Sequence, residues 1–376
     1  MSQITAMDFN IVQYNTFARP YLLSHDGQKE RLERIPEALA KLNNGSVDVI
    51  TLCEVFFQVE NELCSNMLRK FEDYGFKHHT RVLEGTGFEF PGAVMMVSKW
   101  PLRPADGQMH VYRDACDGSD CLAAKGVLYA AVDKTENGVT KTFHVFATHM
   151  QAWDNEKAVG VRKKQASQMT EFVNQINIPS NEPVLFAGDF NVDLVRYAQE
   201  FKGLSEILDA ELPKMIGQQR YTSDPSSNLL VGRDGAAEKC QKDYEASWGE
   251  KSGIINHTYP PTPESKNPTP TPPKIHGLNP FFADPKDSDT LYIEPGGCYC
   301  SCCSHEWLDY ILVSKKHQRP SGTSTLECIR IKAGYSFEVA WSGKLQPVPE
   351  PLWGDKIILS DLSDHYPVIG RFVFPG

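Results

Sequence analysis

Pro183-Val184-Leu185-Phe186-Ala187-Gly188-Asp189-Phe190-Asn191 is the stretch from which the rest of the chain can be read. Five residues, four of them apolar, make a short strand, too brief and too rich in branched and aromatic side chains for a buried helix. The strand then stops at a glycine, an aspartate and, two residues on, an asparagine. The glycine is expected to permit a tight turn. Asp189 and Asn191, two apart in extended backbone, then face the same side. Aspartate can hold a metal or position a water, and an asparagine amide can donate to a phosphate oxygen. Taken alone, the stretch also fits a turn built from its favoured residues.

The same plan recurs on both sides of it. Asp8 to Asn15 alternates as a strand and ends at Asn15. Val47 to Cys53 is a Val/Ile/Leu strand closed by Glu54, and Thr142 to Thr148 is followed by His149. Trp307 to Val313 carries Asp309 inside an apolar run, where a buried carboxylate needs a partner. Ser363-Asp364-His365 precedes a last strand, Pro367 to Phe374, and places a histidine beside a carboxylate as a potential general base. Further strands are expected at Pro91 to Ser98 and Lys125 to Val132. Helices are expected at Gln28 to Leu42 and at Asn155 to Ile176, where Met169, Phe172, Val173 and Ile176 form one apolar stripe. Strands that end along one edge of stacked sheets gather their terminal polar residues in a cleft. The expectation is therefore an α+β, four-layer α/β/β/α sandwich, with two mixed sheets face to face and helices outside.

The 376 residues, 41% of them hydrophobic, suffice for one large core. We expect residues 1–376 to form a single catalytic domain with a Pro-rich insertion at about 210–297, which includes Thr269-Pro270-Thr271-Pro272-Pro273. A net charge of −10 argues against broad duplex binding, so no nucleic-acid partner is expected. An acidic protein still binds phosphate where cations bridge the two. No run reaches the roughly 18 apolar residues of a membrane-crossing helix, and no leader is visible. The expected location is cytoplasmic or at a membrane surface, or secreted if a leader has been removed. Cys298, Cys300, Cys302 and Cys303 lie too close together for a regular zinc ribbon, and disulfides, a soft metal site and free thiols all remain open.

The order of these strand-end residues resembles that of the endonuclease/exonuclease/phosphatase superfamily, whose members share a DNase I-like fold. Within it the chain is most similar to the neutral and bacterial sphingomyelinases. Tyr14-Asn15-Thr16-Phe17-Ala18-Arg19-Pro20, Glu54-Val55-Phe56, Thr148-His149-Met150-Gln151-Ala152 and Asp361 to Val368 carry the likeness. So does Asp120-Cys121-Leu122-Ala123-Ala124-Lys125-Gly126, where the Asp and Lys match a pair thought to switch neutral sphingomyelinases on. The resemblance implies a Mg²⁺-dependent phosphodiesterase (Mn²⁺ or Co²⁺ as substitutes) that cleaves sphingomyelin at a membrane surface into ceramide and phosphocholine. It implies Glu54, with Asn15 and Asp364, at the metal, and His365 as base, oriented by Asp309. Asp189 and Asn191 would hold water and phosphate, His149 would donate to the phosphate, and Asp120 with Lys125 would add charge or lock a loop. Phe281-Phe282 is the candidate membrane-contacting tip, the alternative being a buried staple that pins the insertion down. The Pro-rich insertion and the cysteine cluster depart from the bacterial pattern. A phospholipase C on other choline lipids, or a nuclease or inositol-phosphate phosphatase of the same fold, is the alternative.

Overall fold

The computed structural model describes residues 6–21, 25–58, 60–83, 90–224, 227–228, 230–231, 305–342 and 356–376. Phe281, Phe282, the cysteines of 298–303 and most of the Pro-rich stretch lie outside the described residues. In chain order the first eight strands are β1 (Ala6–Ala18), β2 (His25–Asp26), β3 (Val49–Val55), β4 (His78–His79), β5 (Met95–Ser98), β6 (Leu102–Val111), β7 (Gly126–Glu136) and β8 (Val139–His149). The rest are β9 (Val184–Asp189), β10 (Ala210–Glu211), β11 (Lys214–Ile216), β12 (Asp309–Ser314), β13 (Thr325–Cys328), β14 (Phe337–Ser342), β15 (Lys356–Leu359) and β16 (Val368–Pro375). The helices are α1 (Gln28–Leu32), α2 (Ile35–Ala40), α3 (Glu62–Asp73), α4 (Glu156–Ile176) and α5 (Ala198–Ile207).

One sheet runs β11-β13-β16-β1-β3-β5-β4 and the other β10-β12-β9-β8-β7-β6, with a small sheet β15-β14-β2 at the side. Alternation along β1 explains the layering. Phe9 and Ile11 face the other sheet, where Phe9 stacks on Phe143 at 4.0 Å between ring centres. Val12 and Tyr14 point outward to Leu32, Ile35, Leu39 and Met67 of α1 to α3. On the far side Met169 and Phe172 of α4 cover the second sheet, and Phe201 of α5 stacks on Tyr310 at 4.6 Å. This is the expected four-layer α/β/β/α sandwich.

Local differences have local causes. The helix expected over Gln28 to Leu42 is two short helices and a 3₁₀ turn at Leu42–Gly45. Pro36 sits in the first turn of α2 and cannot donate to a preceding carbonyl, so a continuous helix is broken there. Gly188 is not a turn residue: it lies in β9, and a Cβ there would come within 2.1 Å of the Thr148 carbonyl oxygen on β8. Its smallness lets β8 and β9 approach closely just before His149 and Asp189. The start of the stretch read as an insertion belongs to the sheets, since Ala210–Glu211 pairs with β12 and Lys214–Ile216 with β13. Among the described residues no helix is long and apolar enough to cross a membrane.

Candidate active site

Sheet register brings the polar strand ends together. His149 on β8 lies opposite Asp189 on β9, and Asp189 lies opposite Asp309 on β12. Asn15 on β1 lies opposite Cys53, one residue before Glu54, and β16 begins three residues after His365. The two sheets deliver these residues to one cleft from opposite sides.

At the centre His365 Nδ1 meets Asp309 Oδ2 at 2.7 Å, and its Nε2 faces Asp189 Oδ2 across 4.0 Å. Asp309 is fully buried, and its other oxygen accepts from Gln13 Nε2 at 3.1 Å. The Gln13 amide is itself oriented by Thr51, whose hydroxyl donates to Gln13 Oε1 at 2.7 Å. With Nδ1–H donating to Asp309, the Nε2 lone pair of a neutral His365 is on the Asp189 side, and a water bonded to both would sit beside the 4.0 Å line that joins them. Asp189, Asp309 and His365 each bring one potential ligand atom within 4.8 Å of the others. Asp309 is already committed to the imidazole, so we read this trio as an oriented base rather than a metal cage.

Asn15 is the hinge between the carboxylates. Its Nδ2 donates to Glu54 Oε1 at 2.9 Å and to Asp189 Oδ2 at 3.1 Å, while its Oδ1 accepts from the Phe17 amide at 3.0 Å. All its side-chain polar atoms are used in bridging its neighbours. Burial pushes the Glu54 carboxyl above its usual range, and the nearby Asp189 adds to this. Burial likewise lifts Asp364 to about 7, with Glu54 repulsion adding to it. For His365 burial acts downward, but the Asp309, Asp364 and Asp189 carboxylates outweigh it and hold the imidazole well above its ordinary value. A cluster of hard oxygen donors whose charges oppose each other suits a divalent cation. Glu54, with Asp364 and Asn15 beside it, therefore fits the role of cation holder.

The backbone is strained at the same place. Phe17 (φ 52°), Glu54 (φ 56°), Asn191 (φ 51°) and Trp153 (φ 75°) are all left-handed without being glycine. Such conformations cost of order 1–3 kcal/mol each and collect where a site must be held in one shape. Asn191 Nδ2 donates to the Met150 carbonyl at 2.9 Å, and its backbone amide donates to Asp189 Oδ1 at 2.9 Å.

Lys125 is almost fully buried, and its Nζ lies 2.9 Å from Asp120 Oδ2, 3.2 Å from His149 Nε2 and 2.6 Å from the Met150 carbonyl. Asp120 Oδ2 also accepts the Ala152 amide at 2.7 Å. A neutral His149 accepts from the ammonium through Nε2, and burial, with Lys125 beside it, depresses its pKa to about 3. In this arrangement Nε2 carries no proton to give a phosphate. A disulfide, Cys116–Cys121, closes the loop that carries Asp120.

Sequence reading missed two supports. Gln13 shares a strand face with Asn15, and a glutamine there demands a buried partner. Arg31 is fully buried and donates to the carbonyls of Thr16 (2.7 Å), Phe17 (2.6 Å) and Leu362 (3.1 Å) and to Asp26 (2.5 Å). It ties the end of β1 to the loop bearing Asp364 and His365. Its position beside the apolar Leu32, Ile35 and Leu39 was the available signal.

The profile of the Endonuclease/Exonuclease/phosphatase family matches residues 12–365. The chain belongs to this family. Characterised relatives include Sphingomyelinase C of Listeria ivanovii, 24% identical over 96% of this chain and 86% of that protein. Sphingomyelinase C of Leptospira interrogans is 31% identical over 60% of this chain, but the match spans only 41% of the Leptospira protein. Among solved structures, Sphingomyelinase C from Streptomyces griseocarneus superposes with a TM-score of 0.64 at 22% identity, covering 97% of this chain and 99% of the other. A beta toxin from Staphylococcus aureus, described with bound magnesium ions, gives 0.63 at 21% identity over 98% and 100%. The sandwich is thus the family fold.

Proposed function

We propose that this chain is a phosphoric diester hydrolase that uses a divalent cation, Mg²⁺ in the first instance, to cleave sphingomyelin into ceramide and phosphocholine. The observation that carries the reading is the His365–Asp309 pair, with Nε2 turned toward Asp189 across 4.0 Å beside the Glu54 and Asp364 carboxylates. The sphingomyelinase relatives support the substrate class, and the magnesium-bearing toxin supports the ion.

In the proposed reaction a water between Asp189 and His365 gives a proton to His365 Nε2 as its oxygen bonds to phosphorus. The bond from phosphorus to the ceramide oxygen breaks, that oxygen takes its proton from solvent, and His365 Nε2 returns to solvent the proton it accepted. Asp309 keeps the imidazole in the Nδ1–H form and stabilises the imidazolium. Asn191 lies beside Asp189 at the phosphate. Lys125, linked to Asp120, fixes His149 and the segment after it. When bound, a divalent cation held by Glu54 supplies positive charge against the developing phosphate charge and offsets the carboxylates that keep His365 protonated.

Phosphocholine release from sphingomyelin liposomes, with Mg²⁺ and with EDTA, tests this for the wild type and His365→Ala. Release that EDTA abolishes and the variant lacks is expected. Hydrolysis of phosphatidylcholine, an inositol phosphate or single-stranded DNA in place of sphingomyelin would move the chain to another branch of the family.

A further inference from the structure

Among the described residues eight large apolar side chains are exposed, and two of them flank a single hydrogen bond at the cleft. Leu122 is 59% exposed and Trp153 is 48% exposed. Leu122 lies two residues after Asp120, and Trp153 follows Ala152, whose amide Asp120 accepts at 2.7 Å. The Asp120 carboxylate also holds Lys125, which reaches His149 Nε2 at 3.2 Å, and His149 Nε2 is 3.8 Å from Asp189. The apolar pair therefore stands a short chain of contacts from the proposed nucleophile.

This lip is rigid, which an accidental exposed loop need not be. The Cys116–Cys121 disulfide closes one side. The Asp117 amide donates to Gln151 Oε1 at 2.8 Å, and Gln151 Nε2 returns a bond to the Asp117 carbonyl at 3.2 Å. On the other side Arg162, buried and paired with Glu200 at 2.7 Å, donates to the Gln151 carbonyl at 2.9 Å and to that of Trp153. Trp153 is thereby held with φ at 75°, in a conformation that tryptophan does not adopt without support. The fold spends a buried ion pair and a strained backbone on keeping an indole at the surface.

We propose that Leu122 and Trp153 form the lip with which this protein meets a lipid surface. The occupant follows from the place of the lip: an apolar edge rigidly attached to a phosphodiester site fits the interfacial zone of a bilayer, where an indole sits between headgroups and acyl chains. A substrate headgroup lifted into the cleft leaves its acyl chains on the lip side. The inference rests on the lipid-substrate reading above.

The test is sedimentation with sphingomyelin/phosphatidylcholine vesicles for the wild type, Trp153→Ala, Trp153→Phe and Leu122→Ser. Turnover of water-soluble 4-nitrophenyl phosphorylcholine is measured in parallel. We expect Trp153→Ala to lower vesicle partitioning by about tenfold or more and Leu122→Ser by several-fold. Trp153→Phe should restore most of the binding, and soluble turnover should stay within about twofold throughout. Unchanged partitioning of the alanine and serine variants overturns the proposal. So does loss of soluble turnover in parallel with binding, or a self-association that Trp153→Ala abolishes. Vesicle binding that depends on the lip, without sphingomyelin hydrolysis, would keep the lip and refute the substrate assignment.

Discussion

Asp309→Asn tests the proposed base most directly, because the surrounding amide network decides how the substitution acts. Asp309 receives Gln13 Nε2 at 3.1 Å on one oxygen and His365 Nδ1 at 2.7 Å on the other. Gln13 is held in its present orientation by Thr51, whose hydroxyl donates to Gln13 Oε1 at 2.7 Å in preference to the Val12 carbonyl at 3.2 Å. With Gln13 in that orientation the new amide presents its oxygen to Gln13 and its NH₂ to His365 Nδ1. A donor facing Nδ1 drives the proton to Nε2, the atom meant to receive it from water. The side chain keeps its shape, but the bond to His365 loses its ionic character, so stability should fall by about 1.5–3 kcal/mol, well short of unfolding the domain. Catalysis should fall by about 10³-fold in kcat, equivalent to about 4 kcal/mol, with KM little changed. Steady-state kinetics on sphingomyelin in Mg²⁺ reads the first quantity, and thermal denaturation reads the second. In a Gln13→Leu background the amide is free to turn its oxygen to His365, and about tenfold of the lost rate should return. A folded Asp309→Asn protein within about threefold of wild-type kcat would refute the assignment of His365 as an Asp309-oriented base.

Three further outcomes are expected. Lys125→Met removes the ammonium shared by Asp120, His149 and Met150, and should cost about 30-fold or more in kcat while leaving vesicle partitioning near wild type; equal loss of both would show that Lys125 serves the lip alone. Gly188→Ala sets a Cβ against the Thr148 carbonyl oxygen at 2.1 Å, and should lower unfolding free energy by about 2–3 kcal/mol in urea titrations; a shift under about 0.5 kcal/mol would mean that β8 and β9 separate freely. His144, bonded to Glu182 at 2.6 Å, has its pKa lowered chiefly by burial, so the unfolded chain takes up the proton more readily. Its contribution to stability is present above the usual histidine pKa of about 6.5 and is lost as the pH falls, so the drop in Tm from pH 7.5 to 5.5 should be smaller in His144→Gln. An equal drop in both proteins would count against it.

Most of the sandwich is legible because its central strands are apolar on both faces or strictly alternating, as in Val184 to Ala187 and along β1. β6 is not, since Leu102–Val111 is an edge strand whose side chains are largely exposed, and an edge strand needs little apolar pattern. The 210–216 strands escape notice because they are two and three residues long and borrow their order from β12 and β13. At the site, Asn15, Glu54, His149, Asp189, Asp309 and His365 are visible because each interrupts or ends an apolar run. The hydrogen bonds among them depend on register across strands up to 296 residues apart, as between Gln13 and Asp309, which no local pattern reports.

The strained residues show why this architecture suits the chemistry. Glu54 would relax in extended backbone, but its carboxylate is held where Asn15 Nδ2 donates to it at 2.9 Å. Glu54 near the end of β3 and Asn191 just after β9 both hold left-handed backbone, and Asn15 bonds Glu54 and Asp189 together across the gap between the sheets. Arg31 holds the third segment, from Leu362, against them. Buried, mutually repelling carboxylates would push these ends apart, and the core beneath them resists. A cation drawn into such a site meets ligands already in place, so little of its binding energy goes into assembling them. Replacing Glu54 by glycine would release the strain and the charge together. Asp in place of Glu54 keeps the charge but leaves it one methylene short, and of the two it is the variant that tests whether position matters. Its Mg²⁺ affinity, read by titration calorimetry without substrate, should fall by about tenfold or more if preorganisation is the reason for the strained turn.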